Sequence, residues 1–193
     1  MMKILGKIEN NNLPDVETDR LYLRQRTLDD VKDMFAYASL AEVCYPAGFP
    51  PIETLEAEYD YFQNRYHQNL EKKGLPSGYG ITIKGGDRVI GSCDFNHRHA
   101  DDVYEIGYLL HPDHWGNGYV PEAVAALIEV AFTVLNLHKV EIRCYSHNQQ
   151  SQRVAEKLGF TLEARIRERK DVTGNRCDEL AYGLLKEEWE ERE

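Results

Sequence analysis

Two glycines one residue apart, in Trp115-Gly116-Asn117-Gly118-Tyr119-Val120, form the spacing in this sequence that most directly suggests chemistry. Glycine reaches backbone conformations that other residues avoid, so a G-x-G step lets successive N–H groups turn to one side. Pro121-Glu122-Ala123 and a long apolar-patterned segment follow, the start of a helix whose first amides are unpaired and carry the positive end of its dipole. Amides gathered in this way hold phosphate oxygens, and a plain strand-to-helix turn is the alternative reading. A Walker A loop would continue with Lys and Ser or Thr, and a dinucleotide loop would carry a third glycine and an acidic residue about twenty positions on. Gly118 is followed by Tyr119 and Val120, so the loop is neither.

Histidine and cysteine offer less. His97 and His99 would share a strand face, but two ligands without a nearby third make a poor zinc site. His111 and His114 flank Pro112 beside the loop, within reach of a bound phosphate. Cys44, Cys93, Cys144 and Cys177 form no C-x-x-C pair and read as reduced residues, mostly of the core; no metal is expected.

The elements that must position these residues follow from periodicity. Arg20 to Gln25 alternates as a strand, and Leu28 to Tyr37 has helical spacing. Pro46, Gly48, Pro50 and Pro51 predict a break before a second helix at about 54–70. Gly80 to Lys84, Arg88 to His97 and Val103 to Leu110 predict an antiparallel meander, turning first at Gly85-Gly86-Asp87. A helix from Pro121, placed there as the first helical residue, runs to about Leu135 and buries Val124, Leu127, Val130, Ala131 and Val134. Lys139 to Tyr145 returns as a strand, which permits parallel pairing across a right-handed crossover. Asn148 can cap a helix closed by Gly159, two strands follow around Thr173-Gly174-Asn175, and the acidic end from Lys186 reads as a solvated helix.

At 193 residues and 42% hydrophobic content, one domain over residues 1–193 is expected. The apolar run within Ala123 to Leu137 is interrupted by Glu129 and is shorter than the roughly twenty residues of a membrane span. The segment Met1 to Lys7 lacks an apolar stretch of signal-peptide length, so a cytoplasmic location without membrane attachment is the expectation. Thirty-three acidic against 23 basic residues give a net charge of −10, which disfavours nucleic acid as a partner and suits cationic ones.

Trp115, Gly116, Asn117, Gly118, Tyr119, Glu122 and Ala123 resemble the W-G-x-G-Y-x-x-E-A loop that binds acetyl-CoA in the RimJ/RimL-like branch of the GNAT acetyltransferases. The resemblance runs from about Thr18 to Trp189. Thr18-Asp19-Arg20-Leu21-Tyr22-Leu23-Arg24 with Thr27-Leu28-Asp29-Asp30 is similar to that branch's opening, and Glu105-Ile106-Gly107-Tyr108 to its fourth strand. Asn148-x-x-Ser151-x-x-Val154-x-Glu156-Lys157-Leu158-Gly159-Phe160 is similar to its second signature, and Asp178-Glu179-Leu180 opens a similar tail. Val120 departs from the family, which has a small residue there.

The resemblance implies an α/β (α+β) GNAT fold, a mixed, mostly antiparallel sheet of about seven strands flanked by helices and splayed between strands four and five. It implies acetyl-CoA as co-substrate, held by Trp115, Gly116, Asn117, Gly118, Tyr119, Val120, Asn148 and Ser151, with Leu109 and Leu110 offering backbone amides to pantetheine and oxyanion. Glu105 is the candidate base for the attacking ammonium; the alternative is a strand glutamate paired to Arg or Lys. The tyrosine that many family members place on the helix after strand five is Ala155 here, so Ser151 would hydrogen bond the sulfur instead. Asn148 and Ser151 can equally be ordinary capping residues. The acceptor is an amine, with a protein N-terminus of the ribosomal-protein type expected ahead of polyamines, antibiotics or other small amines. Seven aromatic residues between Leu40 and Tyr79 would shape its pocket or fill the core. A homodimer stays open by analogy, and an acetyl-CoA sensor without turnover is the alternative that Val120 and Ala155 suggest.

Overall fold

Residues 2–192 are described by a computed structural model. The chain opens with two short strands, β1 (Lys3–Leu5) and β2 (Asp15–Glu17), followed by β3 (Leu21–Gln25). Helices α1 (Val31–Ala38), α2 (Ala41–Ala47), α3 (Leu55–Tyr61) and α4 (His67–Lys73) precede the meander β4 (Tyr79–Ile83), β5 (Val89–Ala100) and β6 (Val103–Leu110). Then come α5 (Tyr119–Thr133), β7 (Lys139–Tyr145), α6 (Gln149–Lys157), β8 (Thr161–Lys170), β9 (Arg176–Leu185) and α7 (Lys186–Glu190). The described strands make one nine-stranded sheet in the order β1-β2-β3-β4-β5-β6-β7-β9-β8. That is a GNAT fold with more strands than expected, because three-residue strands such as β1 and β2 are too short to leave a periodic pattern.

Two helix expectations need correction. Pro46 does not break the chain: it lies inside α2, near its end, where losing one hydrogen bond costs little, and Gly48 at φ 93° ends the helix instead. The helix expected over 54–70 is α3, a π-helical turn at Phe62–Tyr66 and α4, closed by Gly74 in the left-handed region.

One face of the sheet is covered by α5, whose Val124, Leu127, Ile128, Val130 and Ala131 are fully buried in the main core. The opposite face carries a second cluster of Val31, Met34, Tyr37, Phe62 and Tyr66 from α1 to the π-helical turn. β6 serves both: Tyr104, Ile106 and Leu110 enter the main core, while Leu109 packs against the second cluster. By alternation Glu105 and Gly107 share the face of Leu109.

All neighbouring strands are antiparallel except β6 and β7, which pair in parallel only where Val103–Glu105 meet Lys139–Glu141. Beyond Glu105, β6 stays with β5 and β7 stays with β9, and the two strands diverge. The expected splay is thereby present, and one edge of β6 is left without a strand partner.

Candidate active site

The loop after β6 makes a 3-10 turn at Pro112–His114 and then passes through Gly116 and Gly118 at φ 78° and 77°. Those angles favour glycine, so the G-x-G spacing is a demand of the turn. Helix α5 starts at Tyr119, with Gly118 just before it, so Pro121 is its third residue rather than its first. Proline is tolerated there because the first turn's N–H groups have no partner within the helix. Tyr119 and Val120 are consequently the donors of this helix end, and Pro121 contributes none. The Val120 side chain packs against the main core, which accommodates the bulkier residue without placing it over the amides.

Arg20 fastens this loop. It donates from Nη1 to the Asn117 carbonyl at 2.8 Å and from Nε to Glu122 at 2.7 Å, and its guanidinium lies 4.9 Å from the Tyr119 ring centre. Glu122 also accepts from Thr18 Oγ1 at 2.5 Å and from the Arg20 amide at 3.0 Å. Burial alone would push the Glu122 carboxyl up, but the Thr18 and Arg20 bonds outweigh it and hold it below its ordinary range. The Trp115 indole donates to the Leu110 carbonyl at 2.9 Å, and the Asn117 side chain donates to the His114 carbonyl at 3.1 Å. Trp115 and Asn117 therefore brace the loop with their side chains. His111 accepts from the Asp113 amide at 3.3 Å, and burial, then the neighbouring His111, lowers the His114 imidazole from its usual value.

Strand register divides the two leucines. The His111 amide bonds the Ile90 carbonyl, and hydrogen-bonded pairs alternate along an antiparallel ladder, so Leu109 and Gly107 also point their amides at β5. Leu110 and Tyr108 point theirs into the gap, in keeping with the Leu110 carbonyl being met there by Trp115. The expectation for Leu109 is thus corrected: its amide belongs to the ladder with Ser92, and Tyr108 takes its place beside Leu110.

Across the gap, the Tyr108 hydroxyl lies 2.6 Å from Ser151 Oγ. Ser151 is buried, and its amide donates to Asn148 Oδ1 at 3.1 Å. The Asn148 side chain in turn donates to the Pro46 carbonyl at 3.1 Å, tying α6 to α2. Asn148 is thus an N-cap, as one of its two readings had it. Burial raises the Tyr108 hydroxyl above the ordinary phenol value, against the opposing bond from Ser151, so Tyr108 stays protonated as a donor. Burial likewise pushes the neighbouring Cys144 thiol up to about 11.

Glu105 lies on the opposite face, its carboxylate 3.1 Å from His99 Nε2 and 3.6 Å from Arg143 Nε. Glu141 beside it meets Lys139 at 2.9 Å and Arg143 at 3.1 Å, and Glu179 meets Arg143 at 3.6 Å and Arg169 at 3.7 Å. The strand-ion-pair reading of Glu105 therefore describes its observed surroundings. His97 stacks on His99 at 6.1 Å. Of the aromatic residues between 40 and 79, Phe62, Tyr66 and Tyr79 are buried, while Tyr45 and Tyr61 are exposed.

The sequence pointed to no role for Tyr108 or Arg20, and to His99 only as a poor metal ligand. A tyrosine among apolar residues on one strand face was the available signal for Tyr108. Nothing local tied Arg20 to a loop nearly a hundred residues away, or His99 to Glu105.

An open strand edge facing a glycine-spaced helix start suits a thioester carried on a long pantetheine arm ending in phosphates. A family described as "Acetyltransferase (GNAT) domain" matches residues 20–161, and the chain belongs to that family: it is an acetyl-CoA-dependent N-acetyltransferase. Within the family its loop and signatures are of the RimJ/RimL-like form. Uncharacterized N-acetyltransferase p20 of Bacillus licheniformis is 34% identical over 173 residues, covering 89% of this chain and 96% of the relative. The solved GNAT-family acetyltransferase of Bacillus anthracis superposes with TM-score 0.75 at 25% identity, over 89% of this chain and 98% of its own. The fold is also shared with RimL, a ribosomal L7/L12 alpha-N-protein acetyltransferase in complex with coenzyme A, at TM-score 0.75 and 22% identity over 87% of this chain and 95% of that one. Spermidine N-acetyltransferase of Vibrio cholerae with CoA and spermine gives 0.77 at 18% identity over 89% and 99%. No helix among the described residues is long and apolar enough to cross a membrane.

Proposed function

We propose that the acceptor is the α-amine of a protein N-terminus, of the kind RimL acetylates, and that transfer is direct from acetyl-CoA to the amine. One observation carries the choice of acceptor. The carboxylates grouped on the sheet face around Glu105 each already have basic partners, Glu105 with His99 and Arg143, Glu141 with Lys139 and Arg143, Glu179 with Arg143 and Arg169. A polyamine brings several lasting ammonium charges and needs unpaired carboxylates to hold them. A peptide α-amine brings one, which loses its proton near pH 8.

In this mechanism the loop amides of Tyr119 and Val120 hold phosphate, and Arg20 keeps the loop in shape. The amides of Leu110 and Tyr108 face the gap and stabilise the oxyanion that develops on the acyl carbonyl. Glu105, with His99, takes the ammonium proton, directly or through water. As the amine nitrogen bonds the acyl carbon and the carbon–sulfur bond breaks, the extra proton on nitrogen passes to the departing thiolate through solvent, while Ser151 hydrogen bonds the sulfur and accepts from Tyr108. Bound acetyl-CoA supplies the activated acyl group; the residues supply orientation and proton traffic.

A small polyamine is the second reading, favoured by the exposed Glu42, Glu53 and Glu56 around α2 and α3. A thiol-release assay with acetyl-CoA separates the readings. Stimulation by N-terminal peptides over spermidine is expected, the reverse order would replace the acceptor, and acetyl-CoA binding with no amine-stimulated release would favour a sensor.

A further inference from the structure

Three segments meet beyond the end of β7: the turn that carries His147, the tip of the β8–β9 hairpin with Asp171, and the start of β9 with Cys177. One ligand atom of each lies within 4.8 Å of the other two. We propose that His147, Asp171 and Cys177 bind one divalent zinc-type cation, with solvent completing the coordination.

The donor set selects the ion. An imidazole nitrogen, a thiolate sulfur and a carboxylate oxygen suit zinc, whereas calcium and magnesium are held by oxygens. Tetrahedral ligand atoms around zinc lie roughly 3.5 Å apart, so closing the site needs a shift that the exposed His147 side chain can make.

Two of the three ligands sit on braced segments. The His147 ring stacks on Tyr145, with centroids 5.5 Å apart and planes 19° from parallel. Its turn is fixed to β9 by the Ser146 amide, which donates to the Asp178 carbonyl at 2.8 Å. Asp171 Oδ1 accepts from the Thr173 amide at 2.9 Å, the Thr173 hydroxyl at 2.6 Å and the Asn175 amide at 3.0 Å, which fixes the carboxylate on the hairpin tip. Supports of this kind hold metal ligands in register.

The local charge also favours a cation. Asp178 and Glu179 follow Cys177 directly in β9, beside Asp171, so carboxylates surround the place where a cation would sit. Thiolate ligation displaces the Cys177 proton to solvent. His147 precedes Asn148, the cap that joins α6 to α2, so the cation would clamp the hairpin to the turn from which Ser151 is positioned. The site does not depend on which amine is acetylated.

Cobalt(II) titration of the metal-stripped full chain tests the assignment, since cobalt replaces zinc and reports thiolate ligation by a near-ultraviolet charge-transfer band. A band saturating at one ion per chain, bleached by zinc and accompanied by proton release, is expected. Cys177→Ser should abolish the band, and His147→Ala and Asp171→Asn should each weaken affinity about tenfold or more. These positions are exposed or half-exposed, and circular dichroism checks that each variant folds. No band in the intact chain, a band that survives Cys177→Ser, or unchanged affinity in both other variants overturns the proposal.

Discussion

The hydroxyls of Tyr108 and Ser151 lie 2.6 Å apart across the one place where the sheet opens. Tyr108 comes from the unpartnered edge of β6 and Ser151 from α6, which follows the diverging strand β7. The bond therefore links the two walls of the gap.

Ser151→Ala should lower kcat by about a hundredfold, the low end of what a positioned proton donor contributes, while acetyl-CoA affinity measured by calorimetry stays within a few-fold. Tyr108→Phe should cost about tenfold, and the double variant should be no slower than Ser151→Ala because the two act as one unit. Additive losses would show that Tyr108 acts separately. Since Tyr108 is raised rather than lowered, the alkaline limb of the pH profile should survive Tyr108→Phe.

Glu105→Gln tests the base. Its kcat/KM for the amine should fall about a hundredfold at neutral pH and recover in part as rising pH deprotonates the free amine. His99→Ala should show the same trend more weakly. A Glu105→Gln enzyme as active as wild type across the pH range would leave the carboxylate as an ion-pair partner of His99 and Arg143 alone.

Glu122 joins the loop to the segment before β3, so Glu122→Gln should destabilise the fold by about 1–3 kcal/mol, the range for losing hydrogen bonds to a charged group, and raise the KM for acetyl-CoA. Its carboxyl is depressed in the folded state from an ordinary value of 4.5. Its stabilisation is therefore fully present above that pH and is lost as pH falls through the depressed value. Chemical denaturation measured down the acid range should fall off less steeply in Glu122→Gln than in wild type.

Gly118→Asp should abolish acetyl-CoA binding, because it strains a φ of 77° and sets a negative charge beside the Tyr119 and Val120 amides proposed to hold phosphate. Calorimetry with acetyl-CoA reads this directly, and unchanged affinity would remove the phosphate role from the loop.

Leu127→Ala, at a fully buried position of α5, should cost about 2–5 kcal/mol in urea unfolding without touching a site residue.

Much of this was legible in order along the chain. The meander, the crossover helix and the glycine loop each impose a local pattern, an alternation, a 3.6-residue stripe or a positive φ, that survives in the sequence. Asn148 was legible as a cap because capping joins residues three apart. Pro46 was misleading because a proline forfeits only its own bond to the carbonyl four residues back, and the rest of α2 keeps its bonds until Gly48 ends the helix. Leu109 was assigned to the gap through the family resemblance, whereas the direction of an amide depends on which pairs of the β5–β6 ladder are bonded.

The sequence by itself determined the fold family and the glycine-spaced turn that opens α5, because those rest on contiguous residues whose backbone geometry is a local property. Only the tertiary structure decided the pairings across distance: Arg20 with Asn117 and Glu122, Tyr108 with Ser151, Glu105 with His99 and Arg143, and the meeting of His147, Asp171 and Cys177. Hydrogen bonds and ion pairs act over a few ångströms of space, and the chain separation of two residues carries no trace of that distance until the sheet has formed.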